Sequence, residues 1–223
     1  MEKYLPIVEA VRKVGSFLIT REYNKTLEED CAIAAEDMHK RQSWRTMQDI
    51  FIKNMFGTRI EHALYHILKN NNIEVDLSSQ KTFKDRKYDL VVTLNGDKIK
   101  IDTKSTNQYC IEDWLAFNCF DTKDDPTTGR KKQAFSQHKL PGANLYNFVV
   151  NSLDTEILIT AKSKEVETGW LISFHYIIHR NVFNTKYGEQ SNGMFSFSGS
   201  VKPGPYYFVK YSDIIRDNLC IKF

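Results

Sequence analysis

The chain has 223 residues, of which 41% are hydrophobic and 26% are charged, the values of an ordinary soluble globular protein. This length suffices for one well-buried domain, and two are expected only if both are small. The net charge of +3 does not by itself indicate a nucleic-acid partner, so the distribution of the charges matters more. The four cysteines form no C-x-x-C pair, which excludes a zinc ribbon and favours reduced thiols in an intracellular protein.

No leader or membrane segment is predicted. Glu9, Arg12 and Lys13 interrupt the first apolar run before it reaches the length of a signal-peptide core. Nowhere does the sequence approach the roughly 18 consecutive apolar residues that span a membrane. We therefore expect a cytoplasmic protein, of a cell or of an infected host cell, with no membrane partner.

The first 56 residues are predicted to be helical. Apolar residues recur at helical spacing from Leu5 to Leu18, and Thr26 begins a second predicted helix. A third pattern begins at Ser43 and is expected to end at Gly57. Basic residues near this third helix suit either a phosphate backbone or a plain solvated face, and they are Lys40, Arg41, Arg45, Lys53 and Arg59.

The strongest local signal is Asn95-Gly96, which separates two runs of alternating apolar residues. Such a pair predicts a β-hairpin with a two-residue type I′ turn. The turn sets the register of the two strands, and counting back from it places Asp89 opposite Asp102. Alternation then puts both aspartates on one face of the hairpin, together with Lys104.

Two aspartates directly across an antiparallel pair repel each other, so the arrangement needs a cation, a raised pKa or abundant solvent. Mg²⁺ binds oxygens from one or two carboxylates and completes its shell with water and substrate phosphate. A neighbouring lysine supplies a point charge for that phosphate. The pattern therefore fits metal-assisted phosphodiester chemistry, although the same residues could line the solvated face of an ordinary edge hairpin.

Asp89, twelve further residues and then Asp102-Thr103-Lys104 resemble the signature of the PD-(D/E)XK nuclease superfamily, shared by many restriction, repair and phage nucleases. Tyr88 stands where the family has its name-giving proline, and Asp102 stands where glutamate is commoner. The resemblance covers roughly residues 57–151. It implies a restriction-endonuclease-like α/β core, with a mixed central sheet flanked by helices and a helical N-terminal region before it.

The resemblance also implies a site and an activity. Asp89 and Asp102 would hold one or two Mg²⁺ or Mn²⁺ ions, with the Thr103 carbonyl and Glu61 completing the metal shell. Lys104 would orient the attacking water or stabilise charge on the phosphate. The implied activity is that of an endonuclease acting on DNA, with duplex DNA as the expected partner.

Glu61 has a second interpretation. A helix is predicted from Gly57 to Leu68, and Thr58-x-x-Glu61 is the pattern of a capping box at the start of such a helix. A glutamate that bonds back to the helix start is not available to a metal. The sequence leaves both roles open.

The rest of the chain is predicted to supply further strands and one long loop. Residues 111–120 suit a short helix, whereas 170–178 fit either a helix or a strand. Strands are expected at 73–77, 145–150, 156–161 and 206–211. The polar segment 121–142 is either a substrate-facing loop or a disordered connector. Together with Arg59, its basic residues are the predicted nucleic-acid contacts: Arg130, Lys131, Lys132 and Lys139.

Other functional classes lack their motifs. The absence of G-x-S-x-G, P-loop and G-x-G-x-x-G sequences argues against serine hydrolases, P-loop NTPases and dinucleotide enzymes. His62 and His66 lie four residues apart on a predicted helix. Ala63 stands where a zincin has its glutamate, so two histidines at a helix surface or core edge are the simpler interpretation.

The sequence thus predicts a single nuclease domain over 1–223, with a helical region at 1–56 and a catalytic core at 57–223. Two alternatives stay open. One is a nucleic-acid-binding module of the same fold that does not cut, and the other is a nuclease for RNA or single strands. The sequence does not decide between a monomer and a homodimer.

Overall fold

A computed structural model describes residues 1–41, 46–77, 89–105, 114–118, 133–134, 144–146, 149–150, 156–183, 189–191, 196–197, 200–201 and 206–223. In these ranges the helices are α1 (Leu5–Val14), α2 (Arg21–Arg41), α3 (Met47–Asn70) and α4 (Tyr211–Arg216). The strands are β1 (Ser16–Thr20), β2 (Glu74–Leu77), β3 (Leu90–Leu94), β4 (Asp97–Ser105), β5 (Trp114–Asn118), β6 (Gln133–Ala134), β7 (Asn144–Tyr146), β8 (Val149–Val150), β9 (Ile157–Val166), β10 (Gly169–His179), β11 (Glu189–Ser191), β12 (Ser196–Phe197), β13 (Ser200–Val201), β14 (Tyr206–Lys210) and β15 (Cys220–Lys222). Short 3₁₀ turns cover Glu2–Tyr4 and Arg180–Phe183.

The chain divides into two compact units. The larger unit comprises Glu2–Thr106, Glu156–Ile177 and Phe223. The smaller unit comprises Met1, Asn107–Thr155 and Ile178–Lys222. Every predicted site residue that the structure describes lies in the larger unit.

Helix α1 ends earlier than the apolar periodicity predicts. Gly15 has a φ of +70°, and its N–H donates to the Val11 carbonyl at 2.9 Å, which closes the helix. The chain then enters β1, so Leu18 lies in a strand and the prediction of a helix there is wrong. The face of α1 that is buried consists of Ile7, Val8, Ala10 and Val11.

Helices α2 and α3 both begin at a capping threonine. Thr20 accepts a hydrogen bond from the N–H of Tyr23 at 3.1 Å, so α2 begins before the predicted start at Thr26. Thr46 accepts in the same way from the N–H of Asp49 at 3.1 Å, at the start of α3. Helix α3 then runs straight through Gly57, so the predicted stop there is wrong and the boundary predicted between 56 and 57 falls inside one helix.

The larger unit is built on a mixed sheet in which the strands follow the order β1-β10-β9-β4-β3-β2. Strands β4 and β9 run parallel, whereas the pairs β1/β10, β2/β3 and β3/β4 are antiparallel. Helix α3 packs against β1, β2, β4 and β9, and α1 packs against α3. The prediction of an α/β structure with a mixed sheet and flanking helices is therefore confirmed.

The predicted hairpin is formed by β3 and β4. Asn95 and Gly96 have φ values of +53° and +88°, as the two central residues of a type I′ turn require. The ladder runs in the predicted register from the turn to the pair Leu90–Ile101. Four residues on the core face of the two strands are fully buried: Leu90, Val92, Ile99 and Ile101.

Some of the remaining secondary-structure predictions are confirmed, one is confirmed only in part and one is wrong. Within the described residues, the strands predicted at 73–77, 156–161 and 206–211 are confirmed apart from end residues, and 170–178 belongs to strand β10. The single strand predicted at 145–150 is confirmed only in part, because Asn144–Tyr146 forms β7, which pairs with β5, and Val149–Val150 forms β8, which pairs with β6. The helix predicted at 111–120 is wrong, because Trp114–Asn118 forms β5, antiparallel to β14 and parallel to β7. Aromatic residues favour a strand where neighbouring strands can pair with it. The spacing of a few apolar residues does not reveal whether such neighbouring strands exist.

Candidate functional site

The signature residues lie together on the hairpin. Asp102, Thr103 and Lys104 belong to β4, where they pair with the parallel strand β9. Asp89 precedes β3, and its N–H donates to the Ile101 carbonyl at 3.0 Å. That bond departs by one residue from the regular ladder, in which Asp89 would pair with Asp102. The predicted proximity of the two aspartates holds, because Asp89 Oδ2 contacts Thr103, the neighbour of Asp102, and the charge of Asp89 acts on Asp102.

The Asp89 carboxylate is fixed by Thr103. Its Oδ2 accepts a hydrogen bond from the Thr103 N–H at 2.7 Å and a second from the Thr103 hydroxyl at 3.0 Å. Thr103 is itself buried, so both donors are held rigidly. The sequence predicts only the carbonyl of Thr103 as a functional group, and the role of its hydroxyl is apparent only from the structure.

Asp102 and Lys104 form an ion pair on the less buried face of β4. The Lys104 Nζ donates to Asp102 Oδ1 at 2.8 Å and lies 2.7 Å from Oδ2. Their side chains are 15% and 27% exposed, respectively, so water screens this pair incompletely.

The negative charge around Lys104 perturbs both partners. Burial raises the pKa of Asp102 to about 7, and the charge and hydrogen bond of Asp89 add to the rise, whereas Lys104 opposes it. Burial lowers the pKa of Lys104, but the carboxylates of Asp102, Asp89 and Glu61 outweigh it and hold that pKa above the ordinary value. The cluster therefore carries more negative charge than its one lysine balances.

Glu61 is buried in the middle of helix α3, not at a helix start. The capping-box interpretation is therefore wrong, and the Thr58 hydroxyl instead accepts a hydrogen bond from the Cys31 thiol at 3.3 Å. The charge of Glu61 acts on Lys104. Across the described ranges, no three His, Cys, Asp or Glu side chains lie close enough together to hold a metal. The role of Glu61 as a metal ligand therefore stays a prediction that the structure does not show.

Arg59 has a structural environment that differs from its predicted role as a phosphate contact. Its side chain is buried, and its Nε donates to Asn24 Oδ1 at 2.7 Å. The guanidinium also lies 3.8 Å from the centroid of the Trp170 ring. These contacts join α3 to α2 and to β10, so the structure does not support a phosphate contact at Arg59.

The remaining predicted nucleic-acid contacts lie outside the described residues. They are Arg130, Lys131, Lys132 and Lys139. Tyr88, at the position of the family's proline, also lies outside them. The basic loop is therefore still a prediction.

A second polar cluster joins α2 to α3, and only its two histidines were noted from the sequence. The Tyr23 hydroxyl lies 2.8 Å from Nδ1 of His62 and 2.9 Å from Nε2 of His66. A neutral hydroxyl can donate to one ring and accept from the other, which satisfies all three groups. The four-residue spacing of the histidines was visible in the sequence, whereas their contact with Tyr23 was not.

The oxygen donors at Asp89 and Asp102 fit a hard divalent cation. Carboxylate oxygens are the ligands that Mg²⁺ and Mn²⁺ prefer, and Mg²⁺ often takes only one or two of them and keeps several waters. Burial is the main cause of the raised pKa of Asp102 and the charge of Asp89 adds to it, so a cation bound here would favour the ionised carboxylates. Two carboxylates are a donor set that a divalent cation can use.

Comparison with models of protein families, with curated proteins and with solved structures gives no match to the chain. None of the helices within the described ranges is long and apolar enough to cross a membrane. The assignment of function therefore depends on the geometry of the site.

Proposed function

We propose that the chain is a metal-dependent nuclease that hydrolyses phosphodiester bonds, with duplex DNA as its first expected substrate. The observation that carries the proposal is the cluster in which Thr103 donates two hydrogen bonds to Asp89 while its neighbour Asp102 pairs with Lys104. Strand β4 lies between β3 and β9 and is not an edge strand, so the alternative of a solvated edge hairpin loses its basis. The succession of α3, the hairpin and a parallel strand supports a restriction-endonuclease-like core.

Asp89 and Asp102 are the residues that would hold Mg²⁺ or Mn²⁺, with the Thr103 carbonyl and Glu61 as further predicted ligands. Bound there, the ion supplies positive charge for the phosphate and a water of lowered pKa. The two hydrogen bonds from Thr103 hold the Asp89 carboxylate in one orientation before any ligand arrives. Thr103 therefore acts as a positioning residue.

Lys104 acts as a cation. Because the neighbouring carboxylates raise its pKa, it stays protonated near neutral pH and is not a base. Its Nζ neutralises Asp102 while no substrate is bound. With a phosphate in the site, the same Nζ stabilises the negative charge that develops on the phosphate oxygens as water attacks.

Plasmid cleavage tests the proposal. Wild type is compared with Asp102→Ala and Lys104→Ala in Mg²⁺, in Mn²⁺ and in EDTA. Asp97→Ala is the matched control, because Asp97 is an exposed carboxylate on the same strand. We expect metal-dependent cleavage by wild type and by Asp97→Ala, and none by the other two variants.

Circular dichroism shows whether each variant is folded. If folded wild type cuts neither duplex DNA, single-stranded DNA nor RNA in either metal, the nuclease proposal is wrong and a non-cleaving binding module remains. If it cuts RNA or single strands alone, the chemistry is upheld and the proposed substrate is replaced.

A further inference from the structure

Lysines occupy alternate positions on one face of the neighbouring strands β4 and β9. On β4 they are Lys98, Lys100 and Lys104, and on β9 they are Lys162 and Lys164. We infer that these five residues, called here the lysine row, bind the phosphates of one strand of a nucleic acid, and that this strand lies along β4 and β9. This inference rests on the proposed function and specifies how the substrate crosses that site.

Strand register places the lysine row on the face that carries Asp102. Successive side chains of a strand alternate between faces, and partnered residues of parallel strands share a face. Lys104 is partnered with Thr160, and counting onward by twos from Thr160 reaches Lys162 and then Lys164. The intervening residues on the opposite face are buried: Ile99, Ile101, Thr103, Ile157, Ile159 and Ala161.

The five lysines are at least partly exposed, whereas Leu158 and Thr160 on the same face of β9 are buried. Lys98 and Lys164 are exposed, and Lys100 and Lys162 are half-buried. Within the part of the chain that the structure describes, Lys104 pairs with Asp102, whereas no ion pair or hydrogen bond holds Lys98, Lys162 or Lys164. These three cations, in line with a carboxylate–lysine site, are an electrostatic pattern that suits a polyanion.

Acidic residues confine the path to these two strands. Asp102 is the only carboxylate at the alternate positions of β4 and β9 that contain the lysine row, within the bounds of the two strands. On the same face, β2 carries exposed Glu74 and Asp76 at the edge of the sheet. A polyanion is therefore repelled from β2 and attracted along β4 and β9.

The length of the lysine row sets the size of the binding site. In the parallel register, Lys164 lies level with a point ten residues beyond Lys98. At about 3.3 Å per residue this span is about 33 Å. One strand of a nucleic acid rises about 3.4 Å per nucleotide, so the lysine row matches about ten nucleotides. Asp102 lies inside this span, with lysines on both sides.

Fluorescence anisotropy with labelled oligonucleotides in EDTA tests the inference, because binding is then measured without cleavage. The variants are Lys98→Ala/Lys100→Ala and Lys162→Ala/Lys164→Ala. The control removes the same charge elsewhere, with Lys13→Ala/Lys25→Ala, both exposed residues of the larger unit. We expect each row variant to bind roughly tenfold more weakly and the control to bind as wild type.

Two further readouts distinguish the lysine row from solvated lysines. The dependence of log affinity on log salt concentration should become shallower by about 0.7–0.9 for each phosphate contact removed. Wild-type affinity should also rise with oligonucleotide length and level off at about ten nucleotides. In the row variants, affinity should rise less with oligonucleotide length than it does in wild type.

The outcomes separate the two proposals. If wild type binds and both row variants bind equally well with unchanged salt dependence, the lysine row is wrong and the nuclease proposal stands. If wild type binds no duplex, single strand or RNA, both proposals are wrong. If it binds through the lysine row but never cuts in Mg²⁺ or Mn²⁺, only the nuclease proposal is wrong.

Discussion

The larger unit contains two polar clusters that differ in how their hydrogen bonds and charges are balanced. The acidic cluster consists of Asp89, Asp102 and Lys104, on and beside the hairpin. The tyrosine–histidine cluster consists of Tyr23, His62 and His66, between α2 and α3. Both contain partly buried polar groups within hydrogen-bonding distance of one another.

The difference between the clusters is informative about function. In the tyrosine–histidine cluster, one hydroxyl lies within hydrogen-bonding distance of two imidazole rings, and Phe17 stacks on His66 with a centroid distance of 5.8 Å. In the acidic cluster, two like charges are held side by side, and the pKa of Asp102 is raised to about 7. The first arrangement is complete without a ligand, whereas the second becomes more favourable when a cation joins it. A strongly raised carboxyl pKa beside a second carboxylate is typical of functional sites.

The largest expected difference between the clusters is in cleavage. Asp102→Asn removes a predicted metal ligand with almost no change of shape, so the cleavage rate should fall by at least about 10². Tyr23→Phe is the counterpart in the other cluster and should cleave as wild type at a temperature where it is folded. Single-turnover cleavage of a labelled duplex measures both rates. Equal losses in the two variants would remove the distinction between the clusters.

The next largest effect concerns stability. Lys104→Met leaves Asp89 and Asp102 without their cation, so the free energy of unfolding should fall by about 2 kcal/mol at pH 8. Lys53→Met is the control, because Lys53 pairs with Asp49 at the surface and such pairs contribute less than about 1 kcal/mol. Urea denaturation in EDTA measures both values.

The loss in Lys104→Met should depend on pH. Because the pKa of Asp102 is raised from its ordinary 3.8 to about 7 in the folded state, its protonated form is favoured by folding. Its contribution to stability is complete below pH 3.8 and is lost as the pH rises through about 7. Lys104→Met should therefore be closer to wild type at pH 5 than at pH 8. A loss of the same size at both values would mean that Asp102 is not the group left unpaired.

The parts of this site that the sequence predicts are those fixed by neighbouring residues. A two-residue turn at Asn95-Gly96 sets the hairpin register, and alternation then decides which face holds Asp102 and Lys104. These inferences need only the geometry of one hairpin. The small shift at Asp89 was not predictable, because it depends on the hydrogen bonds that its carboxylate makes with Thr103.

Contacts between distant segments decided the rest. Arg59 looks like a surface base on its own helix, yet Asn24 and Trp170, from two other elements, bury it. Glu61 fits a capping box only if a helix begins at Thr58, and the packing of α2 against α3 lets the helix continue through that point. Periodicity reports which face of an element is apolar, but it does not report which element covers that face.

The tyrosine–histidine cluster should show a smaller and purely structural effect. Tyr23→Phe leaves two imidazole nitrogens without their shared partner, so the free energy of unfolding should fall by about 1–2 kcal/mol. Tyr65→Phe is a matched control on α3, because the Tyr65 hydroxyl accepts only from the exposed Lys69 among its described hydrogen bonds. Its stability should change little. Equal losses in the two variants, measured by urea denaturation at pH 8, would argue against a specific role for Tyr23.

The smallest expected effect concerns how the stability contributed by each cluster changes with pH, because the two changes have opposite signs. Burial, and then the charge of Lys69, lowers the pKa of His66, so folding disfavours the protonated ring. Its contribution to stability is complete above the ordinary pKa of 6.5 and is lost as the pH falls below it, the reverse of Asp102. The groups that face this ring are Tyr23 from α2, Phe17 from β1 and Tyr65 and Lys69 from α3. Only Lys69 among them is cationic.

His66→Gln keeps a polar partner for Tyr23 and removes the titration. The urea midpoint of this variant should therefore fall less between pH 7 and pH 5 than that of wild type. Asp102→Asn should change the slope in the opposite sense, because it removes the group whose protonation at low pH favours folding. A wild-type slope that neither substitution alters would mean that other groups govern the acid stability of the protein, and that neither cluster differs in protonation between the folded and unfolded states.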